Sequence, residues 1–174
     1  MTPRSVFAVL IALAVVAPAH FGAQTAPAQN SKPAAPPAAT VVYRNPQYGF
    51  CFLLPASWKG YTIVPEHWRG TDFSAGNKVV HGPQLLIRHP GWTADHPYED
   101  IPIMVFTPQQ WKKVVDVTMS VSAAPIGPEE LGHNRRYVFA LPPRYNFDAL
   151  TGWEEVDNLV HQHSLQAPCA PAGK

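Results

Sequence analysis

Tyr43-Arg-Asn-Pro-Gln-Tyr-Gly-Phe-Cys-Phe-Leu-Leu-Pro-Ala-Ser-Trp-Lys-Gly-Tyr61 is the stretch in which the folded domain of this chain takes shape. Its Asn-Pro-x-x-Gly segment separates two apolar runs, which is typical of a tight turn between paired strands. The second run, Phe50–Leu54, is apolar on both alternating faces and predicts a strand that is covered on both sides. The next segment, Pro-x-x-Trp, predicts a corner anchored by Trp58. These residues indicate structure and no particular chemistry.

The first residues of the chain have the composition of an export signal. Arg4 precedes an uninterrupted apolar run, Val6–Val16, and small residues suited to cleavage come after it, up to Ala23. The run is shorter than the roughly 20 apolar residues that a membrane-spanning helix needs. We therefore predict a signal peptide over residues 1–23. The protein is expected to be bacterial and exported, to the periplasm or the extracellular space, with no transmembrane segment after cleavage.

The remaining chain divides by composition into a linker, one domain and a tail. Residues 24–39 are rich in Ala and Pro and lack large apolar side chains, so they predict a linker with polyproline character. Residues 40–165 are long enough for a single domain with its own core. Residues 166–174 resemble the linker in composition and predict a disordered tail.

The charge of the predicted domain argues against nucleic acid as a partner. Residues 40–165 contain ten Lys and Arg against twelve Asp and Glu, a formal net charge of −2. A nucleic-acid-binding surface needs a basic face that neutralises phosphates. The adjacent pairs Lys112-Lys113 and Arg135-Arg136 are interpreted as solvated edges. The partner is expected to be a protein or a small molecule.

The two cysteines leave the question of a disulfide open. Cys51 lies inside the predicted buried strand, whereas Cys169 lies in the predicted tail. Burial favours Cys51 as a small core residue. A bridge is the alternative that an oxidising compartment allows, and it would hold the tail across the sheet.

The pattern of strand and helix signals predicts an α+β domain, a mostly antiparallel sheet flanked by helices. Thr107-Pro-Gln-Gln110 and Thr151-Gly-Trp-Glu154 each have the spacing of a capping box and predict two helices. Residues 66–80 show no clean period and predict a loop that contains one irregular strand at most. Residues 125–132 predict a turn, with one helical turn at 128–130 as the alternative. Short strands are predicted over residues 40–44, 50–54, 61–64, 84–89, 101–106, 117–123 and 136–141.

This order of elements, with the Tyr48-Gly49-Phe50 turn and the Pro55–Trp58 corner, resembles the PsbP-like family of extrinsic photosystem proteins and their bacterial relatives. The resemblance covers residues 40–165. It implies an α-β-α sandwich and a non-catalytic accessory or binding role. No functional residue is carried over from the family to this chain.

Two loops supply the candidate site residues. Trp68 and Trp92 lie in predicted loops, and with Tyr98 they are predicted to line one groove for a small molecule or a protein partner. The alternative is that the loops fold back on the core as lids.

The loop after the fourth strand also contains potential metal ligands. His89, Asp95, His96 and Asp100 offer nitrogen and oxygen ligands for a divalent ion. A solvated loop stiffened by proline explains the same residues without a metal.

The sequence therefore predicts an exported, non-catalytic binding or accessory protein of the cell envelope that needs no cofactor. The enzyme alternative is a metal-dependent hydrolase that uses the loop 89–100. It requires His67, His89, His96 and a carboxylate to converge in a pocket. A third possibility, a structural interaction module tethered by the linker, shares the features of the first.

Overall fold

The computed structural model describes residues 40–123 and 126–169. The predicted signal peptide and linker lie outside the described residues. Two α-helices, α1 (Pro108–Val115) and α2 (Trp153–His161), accompany nine strands. In chain order the strands are β1 (Thr40–Asn45), β2 (Phe50–Pro55), β3 (Thr62–Asp72), β4 (Lys78–Arg88), β5 (Ile101–Phe106), β6 (Met119–Ser120), β7 (Glu129–His133), β8 (Val138–Leu141) and β9 (Leu165–Gln166).

The described strands form two sheets in which neighbouring strands are antiparallel. The larger sheet has six strands in the order β6-β3-β4-β5-β8-β7, and the smaller one has three in the order β1-β2-β9. The predicted α+β class with a mostly antiparallel sheet is confirmed. In the described part of the chain, no helix combines the length and apolar character needed to cross a membrane.

Strand β5 contributes to two hydrophobic cores because both of its faces are covered. All six of its residues are buried. Ile101, Ile103 and Val105 point into one core, whereas Met104 and Phe106 point into the other. This alternation reflects the two-residue period of a strand. An apolar run with no polar face is stable only in such a position.

Different elements cover the two faces of the larger sheet. The first core also contains Phe50 and Phe52 of β2 and Val156 and Val160 of α2. The second core is covered by α1, whose Trp111 and Val114 pack against it. The two helices therefore lie on opposite faces of the larger sheet.

The opening stretch folds as its composition predicts. β1 pairs with β2 from Thr40 opposite Pro55 to Asn45 opposite Phe50, and Gly49 closes the turn with a φ of 75°. A 3-10 turn over Ala56–Trp58 comes next, and the Trp58 side chain is fully buried. The predictions of a strand covered on both faces and of a corner anchored by Trp58 are both confirmed.

Helix α1 begins with the predicted capping box. The Thr107 hydroxyl accepts a hydrogen bond from the Gln110 backbone, and the Gln110 side chain accepts one from the Thr107 backbone. These two bonds satisfy amide groups that would otherwise lack partners at the helix start. The last residue of the helix, Val115, is 64% exposed, whereas Trp111 and Val114 pack against the second core.

The capping box predicted for the second helix is wrong. Helix α2 begins after Gly152, which has a φ of 80° and no side-chain capping bond. Thr151 instead pairs with the loop before β5, where its carbonyl accepts a hydrogen bond from the Glu99 backbone at 2.8 Å. Thr151 thus makes a long-range backbone hydrogen bond to Glu99 and does not form the predicted helix cap.

The loop predicted over residues 66–80 is wrong, since β3 and β4 form one long hairpin there. Their register runs from Thr62 opposite Arg88 to Asp72 opposite Lys78. Trp68, Gly70 and Asp72 are buried on one face, which is a two-residue period. This alternation does not appear as an apolar pattern in the sequence, because two of the three buried residues, Gly70 and Asp72, are not apolar. Pro65 does not end the strand, because only β4 lies beside it at that position and an edge strand tolerates proline.

The turn predicted over residues 125–132 is also wrong in part. Residues 124 and 125 lie outside the described residues, but Glu129–His133 form strand β7 at the edge of the larger sheet. β7 pairs with β8 and contains an irregularity between Glu130 and Gly132. Of the strand predicted over 117–123, only Met119–Ser120 is a strand.

The C-terminal residues are held to the smaller sheet by a disulfide. Cys51 is bonded to Cys169, with 5.0 Å between their Cα atoms, and Gln166 pairs with Cys51 in β2. Cys51 is buried as predicted, but the interpretation that it is unpaired is wrong. Residues 166–169, predicted as part of a disordered tail, are therefore fixed, and 170–174 lie outside the described residues. Closing a chain segment of this length removes about 4–5 kcal/mol of denatured-state entropy in the loop-closure model.

Gly82 gives a test of the β3–β4 hairpin. A Cβ atom at this position would overlap the Trp68 indole, so Gly82→Ala is expected to destabilise the protein by about 1–3 kcal/mol. Denaturant unfolding measures this difference. Gly127→Ala is the matched control, since nothing lies within 4 Å of a Cβ there, and its free energy of unfolding should change by less than about 0.5 kcal/mol. Equal effects of the two substitutions would contradict the predicted packing.

Candidate functional site

Trp68 is a core residue and does not line the predicted groove. Its side chain is 3% exposed, and its ring stacks on Phe106 with 4.7 Å between ring centroids. The indole N–H donates a 2.9 Å hydrogen bond to the carbonyl of Val105. This environment satisfies the one polar atom of the side chain and leaves no surface for a ligand. The prediction that Trp68 is a binding anchor is wrong.

Trp92 and Tyr98 remain partly exposed, but each is engaged within the chain. The Arg88 guanidinium lies 4.0 Å from the centroid of the Trp92 ring. The Tyr98 hydroxyl donates a 2.6 Å hydrogen bond to Glu155, and its ring stacks on His89 at 4.0 Å. Burial and then the hydrogen bond to Glu155 raise the pKa of Tyr98 to about 12. The contacts of Trp92 and Tyr98 thus hold the loop before β5 in place. Trp68 belongs to the second core, so the structure does not bring it to one groove with Trp92 and Tyr98.

The structure does not bring the predicted metal ligands together. Asp100 forms a two-bond ion pair with Arg88, with a shortest distance of 2.7 Å, and His89 accepts a 3.0 Å hydrogen bond from the Gly91 backbone. Asp95 and His96 are exposed on the loop. Among the described residues, no three His, Cys, Asp or Glu side chains form a group that could hold a metal ion. The described residues therefore do not form the cluster of histidines and a carboxylate that the hydrolase alternative requires.

A cleft of about 830 Å³ lies elsewhere, at the end of the two sheets. Three segments line it: the β1–β2 turn (46–49), the β7–β8 turn (133–137), and Ala167 and Pro168 of the C-terminal segment. The third segment is held by the neighbouring disulfide at Cys169. We call this feature the Tyr48–Tyr137 cleft. Its volume falls in the range of small-molecule sites, roughly 300–1,000 Å³.

Asn134 joins the two turns that form the cleft. Its side-chain amide donates to the carbonyls of Tyr48 at 2.8 Å and Gly49 at 3.3 Å. Its side-chain oxygen accepts hydrogen bonds from the backbones of Arg136 and Tyr137. One side chain therefore fixes the β7–β8 turn and attaches it to the opening hairpin, which defines the shape of the cleft.

The walls of the cleft are aromatic. The rings of Tyr48 and Tyr137 meet edge to face, with 5.3 Å between centroids and an interplanar angle of 88°. Burial, and then the proximity of Tyr137, raises the pKa of Tyr48, so its hydroxyl stays protonated at neutral pH. Pro46 and Pro168 add further apolar surface. The cleft therefore offers flat, rigid surface together with a hydrogen-bond donor.

The charged groups of the cleft lining are cationic. Arg135 and Arg136 are exposed, and the described residues of the lining include no Asp or Glu. The Arg136 guanidinium lies 5.4 Å from the centroid of the Tyr137 ring. His133 also lines the cleft, and its Nδ1 lies 2.6 Å from Glu130, which is outside the lining.

The cleft is not predicted from the sequence, although two of its lining segments have recognisable sequence features. Arg135-Arg136 is an adjacent basic pair, but the sequence alone favours a solvated edge for it. Tyr48 has the context of a turn residue in the opening hairpin. The two positions are far apart in the chain, and only the side chain of Asn134 and the pairing of the sheets bring them together.

A second polar feature of the fold is the buried carboxyl of Glu99. The side chain is 5% exposed, and its Oε2 has no hydrogen-bond partner among the described residues. Burial raises the pKa of Glu99. Loss of hydration thus disfavours the charged carboxylate in the folded protein.

Glu99→Gln tests this environment through the pH dependence of stability. Because the folded pKa is raised, wild-type Glu99 favours folding at pH values below its ordinary pKa of 4.5, and this stability is lost as the pH rises through the folded pKa. A glutamine is neutral at both pH values. The free energy of unfolding of Glu99→Gln, measured relative to the wild type, should therefore be higher at pH 7 than at pH 4. Denaturant unfolding at both pH values measures it. A pH-independent effect of Glu99→Gln would contradict this description of the Glu99 environment.

Comparison of the chain with protein-family models, with curated proteins and with solved structures found no match. The resemblance to the PsbP-like family therefore stays a prediction, and the candidate site rests on the geometry of this chain alone.

Proposed function

We propose that this chain is an exported, non-catalytic binding or accessory protein of the cell envelope, and that its ligand occupies the Tyr48–Tyr137 cleft. The observation that carries the proposal is the cleft itself, an opening of about 830 Å³ with aromatic walls and polar groups directed into it. The hydrogen bonds that Asn134 makes between its turns support a binding role, since a rigid site loses little entropy when a ligand enters.

The composition of the lining supports binding over covalent chemistry. The described lining residues include one imidazole, on His133, and no Ser or Thr hydroxyl, thiol or carboxylate. Nucleophilic catalysis needs a nucleophile within reach of a general base. Among the described residues, the His133 imidazole is hydrogen-bonded to Glu130 and not to the hydroxyl of Tyr48 or Tyr137.

We further infer that the fold is the α-β-α sandwich of the PsbP-like family. The positions of α1 and α2 on opposite faces of the larger sheet support this inference. So do the buried Trp58 corner and the Gly49 turn, the features on which the resemblance rests. The smaller sheet β1-β2-β9, which shares a layer with α2, is the feature to compare first when a related structure is solved.

Export is supported by the apolar run near the N-terminus and by the Cys51–Cys169 disulfide. Disulfides persist mainly in oxidising compartments. When the full chain is expressed in a Gram-negative bacterium, we expect periplasmic protein whose new N-terminus lies directly after Ala19 or Ala23. N-terminal sequencing of the fractionated protein measures this. Recovery of the uncleaved chain from the cytoplasm alone would contradict export.

Binding in the cleft can be tested with small aromatic probes. We expect phenylacetate, phenylacetamide or both to cause saturable shifts in the backbone amide NMR signals of Gly49, Asn134 and Tyr137. Tyr48→Ala should weaken the shifts, because it removes one aromatic wall. Phe147→Ala is the matched control, since that ring is 75% exposed and lies outside the lining.

The outcome that contradicts the proposed site is equally specific. Either no saturable shifts occur with any probe, or they map to residues around Trp92 and Tyr98. The second result would restore the site predicted from the sequence for those two residues.

A further inference from the structure

The two arginines of the Tyr48–Tyr137 cleft have no anionic partner in its lining. The Arg135 side chain makes no hydrogen bond or ion pair with any described residue. The Arg136 guanidinium contacts only the Tyr137 side chain, through its ring at 5.4 Å and its hydroxyl at 3.5 Å. The one carboxylate close to the lining, Glu130, is engaged with His133. Both guanidinium groups therefore keep free N–H donors at the rim.

Both arginines are exposed, and exposed cations without an ion pair occur elsewhere among the described residues, as at Arg69 and Lys78; these two differ because their guanidinium groups line the same cleft. Elsewhere, cations in partly buried positions are matched by carboxylates: Arg88 by Asp100 and Lys113 by Asp72, at 2.7 and 2.6 Å. The described domain has more acidic than basic residues, yet none of the acidic ones lines this cleft. A ligand that enters the cleft meets two guanidinium groups and no carboxylate among the described lining residues.

We propose that the Tyr48–Tyr137 cleft binds an oxyanion, a carboxylate or a phosphate, that is attached to a flat or apolar body. This inference rests on the proposed function and specifies its ligand class. The oxyanion contacts Arg135 and Arg136, and the body packs against the ring of Tyr48 and the neighbouring prolines. The Tyr48 hydroxyl donates a further hydrogen bond.

The chemistry of arginine supports an oxyanion over other anions. The planar guanidinium presents two parallel N–H groups that match the two oxygens of a carboxylate or phosphate. Stacking of Arg136 on Tyr137 orients one of these groups before the ligand arrives. Because carboxylate and phosphate share this geometry, both belong to the proposed class.

Four probes separate the contributions of charge and ring. Phenylacetate carries both, phenylacetamide is its neutral counterpart, acetate lacks the ring, and phenyl phosphate replaces the carboxylate. We expect the dissociation constants, from NMR titration of the full protein, to be about tenfold lower for phenylacetate than for phenylacetamide. Acetate should bind more weakly than phenylacetate by a similar factor. Comparison with phenyl phosphate identifies which oxyanion the cleft prefers.

Substitution of the arginines tests their role. Arg135→Gln/Arg136→Gln should remove the tenfold preference for phenylacetate over phenylacetamide. Arg135→Lys/Arg136→Lys should retain part of it, since charge remains and the planar fork is lost. Arg69→Gln/Lys78→Gln is the matched control; it removes two exposed positive charges outside the lining and should preserve the preference. Raising the NaCl concentration should weaken the phenylacetate complex and leave the affinity for neutral phenylacetamide nearly constant.

Each result decides between distinct conclusions. Equal affinities for phenylacetate and phenylacetamide, with both mapping to the cleft, would overturn the oxyanion assignment and leave the proposed binding function intact. A preference that survives the Arg→Gln substitutions would also overturn it. Failure of every probe to bind in the cleft would overturn the binding function and this inference together.

Discussion

Burial of β5 on both faces organises this protein. A strand with six buried residues needs a covering layer on each side, and the chain supplies α1 on one and α2 with the smaller sheet on the other. Ile103 and Met104, adjacent in sequence, therefore belong to different cores. At roughly 25 cal/mol per Å² of apolar surface, covering both faces is the main favourable term available to a domain of this size. The turns and the C-terminal segment are placed by that arrangement.

The candidate cleft forms where the two sheets end. The β1–β2 turn comes from the smaller sheet and the β7–β8 turn from the larger one, and Asn134 joins them with two hydrogen bonds to backbone carbonyls. The third wall is covalently held, because β9 has only two residues and the Cys51–Cys169 bond secures the segment after it. Arg44 lies beside this bond, with its guanidinium 3.5 Å from the Cys51 sulfur. The disulfide thus holds one wall of the candidate cleft in place.

Local patterns predict most of the elements, and long-range pairing accounts for the rest. The capping box at Thr107, the buried strand Phe50–Leu54 and the Trp58 corner depend on residues close in sequence, and all three are confirmed. The β3–β4 hairpin is missed because Gly82 and Trp68, which pack together across it, give no apolar alternation. The prediction of Trp68 as a binding anchor fails for the same reason. The cleft is beyond prediction, since it joins residues brought together only by the folded sheets.

The site should next be observed with its ligand, in a crystal structure of the oxidised protein grown with phenylacetate. We expect the carboxylate within hydrogen-bonding distance of the Arg135 or Arg136 guanidinium and the phenyl ring against Tyr48. The disulfide should be intact and Pro168 should line the bound ring. A ligand placed against Trp92 or Tyr98, or a cleft without ligand in crystals saturated with the probe, would contradict the proposed site.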